Sequence, residues 1–94
     1  MDSYEIQWKK SVEKDICGVD AQQVPRIIHA IESLSANPIP AQSRKLRYAE
    51  RIYRLRVGNY RVVYEVDTKK RVITIYHVRH RRNAYRKSAG TDFR

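Results

Sequence analysis

The sequence predicts an α+β fold: two N-terminal helices packed on a mostly antiparallel four-stranded sheet, in the order β-α-α-β-β-β, followed by a short C-terminal helix. Three observations carry this prediction. Apolar residues recur at helical spacing up to Leu34, they alternate with period two from about Ile52, and a proline-rich linker separates the two regimes. Helices covering one face of a sheet satisfy both patterns at once. With 94 residues the chain makes one domain, 1–94, with a modest core.

The elements follow in order. Tyr4, Ile6 and Trp8 alternate with Glu5 and Gln7, which reads as a short strand. Ser11 followed by Val12 and Glu13 resembles a helix start, with Ser11 as N-cap, and Gly18 marks its end. Asp20 is placed to cap a second helix, whose apolar positions are Val24, Ile27, Ile28, Ile31 and Leu34. Pro25 fits its first turn, where a missing N–H costs little. Asn37, Pro38 and Pro40 then break the pattern. Ile52–Val57, Tyr60–Val66 and Val72–Val78 read as three strands rich in Val, Ile and Tyr. Gly58-Asn59 suits a type II′ hairpin turn, and Asp67–Lys70 is a polar turn.

Charge is distributed unevenly. The formal net charge is +10, yet residues 1–43 hold four Lys/Arg against six Asp/Glu, whereas residues 44–87 hold fifteen against three. Segregation on this scale points to a polyanionic partner, either nucleic acid or an acidic protein. No apolar run nears the roughly 18 residues of a membrane span, and the start MDSYEIQWKK lacks a signal-peptide pattern. One cysteine, Cys17, cannot form an internal disulfide. A cytoplasmic setting without a membrane partner is expected.

The hairpin register places the chemistry. With Val57 paired to Tyr60, Arg56 lies opposite Arg61 and Tyr53 opposite Tyr64. Tyr53, Leu55, Val57, Tyr60, Val62, Tyr64 and Val66 then share the face that takes the helices. The other face carries Arg54, Arg56 and Arg61 together, with Glu65 further down. Opposed like charges destabilise a strand pair, so an anion among them is preferred to a merely solvated face. A turn at Asp67–Lys70 sets Tyr76 opposite Arg61, where it could stack on a base, and His77 on the helix-covered face with Ile73 and Ile75. His80, just past the strand, is the better acid–base candidate of the two histidines. Arg81 and Tyr85 share a face if that stretch is helical, and Tyr85 either stacks, moves a proton or anchors the tail.

Arg44, Lys45, Arg47, Arg79, Arg82, Arg86 and Lys87 complete the basic surface available to RNA. Metal-ligand spacing and a Gly-rich phosphate loop are both missing from the sequence. Metal-independent RNA cleavage without a cofactor is therefore favoured, because the 2′-hydroxyl of RNA supplies the nucleophile.

The run Arg44-Lys45-Leu46-Arg47, the hairpin Ile52-Tyr53-Arg54-Leu55-Arg56-Val57-Gly58-Asn59-Tyr60-Arg61-Val62-Val63-Tyr64-Glu65-Val66 and the tail His80-Arg81-Arg82-Asn83-Ala84-Tyr85-Arg86 resemble the RelE branch of the RelE/ParE toxins. The resemblance spans nearly the whole chain and implies a RelE-like microbial RNase fold. It also implies the toxin of a type II toxin–antitoxin system that cuts mRNA at the ribosomal A site and so inhibits translation. Carried over by position, the family's strand cations fall on Arg54, Arg56 and Arg61, its later arginine on Arg81 and its C-terminal tyrosine on Tyr85. Relatives often carry Lys where Arg54 and Arg56 stand. Arginine stays protonated, which moves proton transfer toward Tyr85 or His80. The implied partners are an acidic, partly disordered antitoxin, the ribosome with its mRNA, and operator DNA through the antitoxin complex. Two alternatives remain: a ParE-like inhibitor of DNA gyrase without nuclease activity, and a non-catalytic nucleic-acid-binding module.

Overall fold

In a computed structural model, which describes residues 3–46 and 50–80, the chain runs β1 (Glu5–Trp8), α1 (Lys10–Cys17), α2 (Val24–Ser33), β2 (Ser43–Lys45), β3 (Ile52–Val57), β4 (Tyr60–Asp67) and β5 (Val72–His80). The sheet has five strands in the order β1-β5-β4-β3-β2, one more than the sequence predicts. The additional strand is β2, inside the basic run. It is three residues long and lies on the sheet edge, paired antiparallel to β3, too short to print a period of two. β1 joins the other edge parallel to β5, and the remaining pairings are antiparallel. The α+β class stands. The expected C-terminal helix lies outside the described residues.

One face of the sheet takes both helices. Val12, Val19, Ile27, Ile31 and Leu34 from the helical layer are buried against Leu55, Val57, Tyr60, Val62, Tyr64, Val66, Ile73, Ile75 and Val78. Burying a side chain of this kind contributes about 1.5–3 kcal/mol, so this layer holds most of the stability. Tyr64 is fully buried and its hydroxyl donates to the carbonyl of Pro38 at 2.8 Å, tying the linker to the core. Burial is the main cause that pushes the Tyr64 phenol above its ordinary value.

The helix ends differ in detail from the expectation. α1 begins two residues earlier, with Lys9 at the N-cap position and no side-chain cap. Ser11 lies inside the helix, and its hydroxyl donates to the carbonyl of Tyr76 at 3.1 Å. The cause is tertiary: Lys9 N–H still bonds to Ile75 on β5, so the chain turns directly from strand into helix. Gly18 ends α1 as expected. Asp20 accepts from Gln22 N–H and caps the turn leading into α2, not α2 itself, which starts after Gln23 with Pro25 in its first turn.

The β3–β4 hairpin has the expected register, Val57 to Tyr60, Arg56 to Arg61, Leu55 to Val62 and Tyr53 to Tyr64. Gly58 adopts φ 59°, the left-handed value that the first position of a type II′ turn requires. The β4–β5 hairpin departs from the expected register in two ways. Its turn sits one residue later, pairing Asp67 with Val72, because Asp67 Oδ1 accepts from both Lys69 and Lys70 N–H at 3.0 Å and Arg71 takes φ 58°. A bulge then follows, so that Tyr64 pairs with Ile75 but Val63 pairs with His77, leaving Tyr76 as the extra residue. Arg79, not Tyr76, therefore stands opposite Arg61. His77 leaves the helix-covered face expected for it and joins the row of Val63.

Candidate RNA-binding and catalytic site

The outer face, opposite the helices, carries two cross-strand rows at the Gly58 end. Arg56, Arg61 and Arg79 stand side by side on β3, β4 and β5, and in the adjacent row Arg44 on β2 faces Arg54 on β3. Directly paired residues of antiparallel strands have Cα atoms roughly 4.5–5.5 Å apart. A guanidinium reaches further than that, so these side chains can converge on one group. Arg44, Arg54, Arg56 and Arg61 line a common pocket of about 320 Å³ with Ala41 and Gln42. Backbone Arg56 N–H donates to the Gln42 carbonyl and pins the linker as the pocket's wall.

Arg61 differs from its neighbours. It is only 9% exposed, and Nη1 donates to the carbonyls of Tyr60 at 3.0 Å and Gly58 at 3.3 Å. The guanidinium is thus folded back against the hairpin turn, held in one geometry by the turn it follows. No described carboxylate pairs with it. A cation buried to this degree, among three others, is costly unless an anion occupies the pocket.

Arg79 is balanced from the side. Asp15 of α1 reaches the exposed edge of β5, accepting from Val78 N–H at 3.0 Å and lying 3.9 Å from Arg79 Nε and 4.0 Å from His77 Nδ1. Arg79 Nη2 also lies 3.3 Å from His77 Nδ1. Tyr76 sits on the outer face beyond this cluster, with Lys9 Nζ 5.7 Å from its ring centroid. Its hydroxyl donates to Glu65 Oε1 at 2.7 Å, which is the main cause holding its phenol above the usual value. Lys45 pairs with Tyr53 and so belongs to the other face from Arg44. His80 is the last residue of β5, not a residue beyond it. It pairs with Tyr60, and the two rings meet edge-on at 5.2 Å on the helix-covered side. Arg47, Arg81, Arg82, Tyr85, Arg86 and Lys87 lie outside the described residues.

The structure therefore unites Arg44, Arg54, Arg56 and Arg61, keeps Arg79 at the margin and separates His80, Lys45 and Tyr76 from the pocket. Gln42 is a pocket residue that sequence reasoning misses. Its signal was available only as proximity to the basic run, because a neutral linker residue has no period to expose it.

This geometry can be set beside known proteins. The family model described as "ParE toxin of type II toxin-antitoxin system, parDE" matches residues 6–85. This chain belongs to that family. Toxin RelE1 of Methanocaldococcus jannaschii is 30% identical over 86 residues, covering 88% of this chain and 96% of the relative. The toxin fold in the archaeal RelE–RelB complex from Pyrococcus horikoshii superposes with a TM-score of 0.75 at 28% identity, covering 84% of this chain and 96% of that one. The isolated E. coli RelE toxin superposes at 0.72 with 19% identity, covering 93% and 96%, which extends the agreement in fold alone. The chain is a RelE/ParE-superfamily type II toxin of the RelE branch. No helix among the described residues is long and apolar enough to cross a membrane.

Proposed function

We propose that this toxin is a metal-independent endoribonuclease that cuts mRNA in the ribosomal A site and so arrests translation. The observation that carries the reading is Arg61, a nearly buried arginine fixed by the hairpin turn in the lining of a pocket shared with Arg44, Arg54 and Arg56. Its geometry suits a phosphodiester, whose two non-bridging oxygens match the forked donors of arginine. In the reaction the 2′-hydroxyl loses its proton and attacks the adjacent phosphorus. The new O2′–P bond forms as the P–O5′ bond breaks, and O5′ takes up a proton. The products are a 2′,3′-cyclic phosphate and a free 5′-hydroxyl. Arg61 and Arg56 stabilise the charge that grows on the phosphorane oxygens, with Arg54 and Arg44 flanking them, and Arg81 adds to this set.

The proton acceptor cannot be an arginine. His80 faces the other side of the sheet beside Tyr60, so this reading assigns proton transfer to Tyr85. The basic run, Arg79 and the cations of the tail bind the flanking RNA and the ribosome. The partner that silences the toxin is an acidic, partly disordered antitoxin segment covering the basic face, and operator DNA is bound through that complex. The P. horikoshii relative, solved as a RelE–RelB complex, supports an antitoxin partner, and the charge segregation supports its acidity. A cytoplasmic site of action follows from the ribosome as target.

The family description, which names ParE, favours gyrase inhibition without cleavage as the second reading. The two separate in one experiment. Purified toxin is added to translating ribosomes carrying a defined mRNA, and fragment 5′ ends are mapped by primer extension. Cuts within A-site codons that vanish with Arg61→Ala are expected. Intact mRNA together with inhibited gyrase supercoiling would overturn the ribonuclease reading.

A further inference from the structure

The arginine pocket does not end on the outer face. Gln42, Arg56 and Arg61 also line a larger groove of about 780 Å³ that passes the hairpin tip and runs along α2, where Arg26 and His29 form its far wall. Both are exposed, and at i, i+3 spacing they stand on one side of the helix. The guanidinium of Arg26 is laid against the hairpin turn: a Cβ at Gly58 would come within 3.7 Å of its Nη1. Gln23 Oε1 accepts from the same nitrogen at 3.1 Å and steadies it there. Between Arg26 and the arginines of the pocket the groove meets apolar surface of Leu55, Val57 and Ala30. Cationic walls beside an apolar floor, continuous with a phosphate pocket, suit a single strand whose phosphates and bases alternate. A free phosphate would leave most of such a groove empty.

We infer that this groove is a second RNA subsite, in which Arg26 and His29 of α2 hold backbone continuing from the phosphate at Arg61. The inference rests on the ribonuclease reading. The strand is either the substrate itself or ribosomal RNA next to it, and the test separates the two.

Full-length toxin is titrated by fluorescence anisotropy with uncleavable 2′-O-methyl oligonucleotides of two and eight nucleotides, and by pelleting with ribosomes whose A site is vacant. Wild type is compared with Arg26→Ala/His29→Ala, with Arg26→Lys and with Arg61→Ala, each checked for an unchanged far-UV spectrum. If the groove holds the substrate strand, the octamer binds wild type about tenfold more tightly than the dimer. The double variant loses that gain, and its salt slope falls by about 0.7 for each phosphate it no longer neutralises. Arg26→Lys retains most of the gain, as a phosphate-binding cation would. If the groove holds ribosomal RNA, the octamer gain survives in the double variant while ribosome binding falls about tenfold. Equal binding of wild type and the double variant to both probes overturns the subsite. Unaltered binding and cleavage by Arg61→Ala is a different failure, for it removes the ribonuclease reading on which the subsite depends.

Discussion

Two ends of the same sheet face treat arginine in opposite ways. At the end away from the Gly58 turn, Arg51 lies 3.8 Å from Glu65 and 3.8 Å from Asp67, and Tyr76 donates to the same Glu65. The charge there is closed by neighbours on the adjacent strands. At the Gly58 end, Arg44, Arg54, Arg56 and Arg61 gather in one pocket, with no acidic residue among its described lining. Arg51 is exposed and its pairs are solvated, so each contributes at most about 1 kcal/mol. Arg61 is buried, and among the described residues two backbone carbonyls but no carboxylate meet its charge. The difference teaches that burial, with no carboxylate partner among the described residues, sets one arginine apart from the rest, whereas the number of arginines does not.

Mutation tests this contrast most directly. Arg61→Ala is expected to lower A-site cleavage by about 100- to 1,000-fold, the scale of losing one donor to developing charge. Arg51→Ala should leave the rate within about twofold, since nothing connects it to a phosphate. Primer-extension rates on programmed ribosomes measure both, and similar losses would erase the distinction between the two ends.

Anion binding gives the next largest effect. Sulfate at about 100 times its Kd would stabilise the wild type by about 2.7 kcal/mol, read as a rise in Tm that Arg61→Ala abolishes. Without anion, Arg61→Ala should be no less stable than wild type, because the substitution relieves the opposed pair Arg56–Arg61. A marked drop in its Tm at low salt would mean that Arg61 holds the hairpin together structurally.

Smaller effects belong to the balanced end. Glu65→Gln weakens the Arg51 pair and the Tyr76 hydrogen bond, at a cost of about 1 kcal/mol in denaturant unfolding with cleavage unchanged. The smallest is a pH dependence. The Tyr76 phenol is raised above 10.0, chiefly by donating to Glu65, so its contribution is whole below pH 10.0 and is lost as pH rises through the raised value. Tyr76→Phe should flatten that alkaline part of the stability profile. In the other direction, backbone N–H groups of the β4–β5 turn, that of Lys70 foremost, hold the Asp67 carboxyl below 3.8. Its contribution is present above that pH and is lost on acidification through the lowered value.

Much of this site could be read in the amino-acid order, and the boundary is physical. The Gly58-Asn59 turn admits one tight register, and alternation then sends Leu55, Val62 and Tyr64 inward and Arg54, Arg56 and Arg61 outward. These are local constraints, carried by neighbours in sequence. The helices were legible for the same reason, since Ile27, Ile31 and Leu34 repeat at the period of the backbone that buries them.

What the order of residues left open was decided by distant groups. The edge strand Ser43–Lys45 exists because β3 offers it an open row of hydrogen bonds, not because three polar residues prefer extension. The bulge at Tyr76 moved His77 to the outer face and brought Arg79 opposite Arg61, since one extra residue reverses every assignment after it. Asp15 came to the edge of β5 only through the packing of α1, and Arg26 reached the hairpin turn only through α2. Period and turn chemistry act over a few residues and can be read from the chain. Edges, bulges and the neutralisation of one charge by another depend on which surfaces meet, and only the assembled tertiary structure sets that.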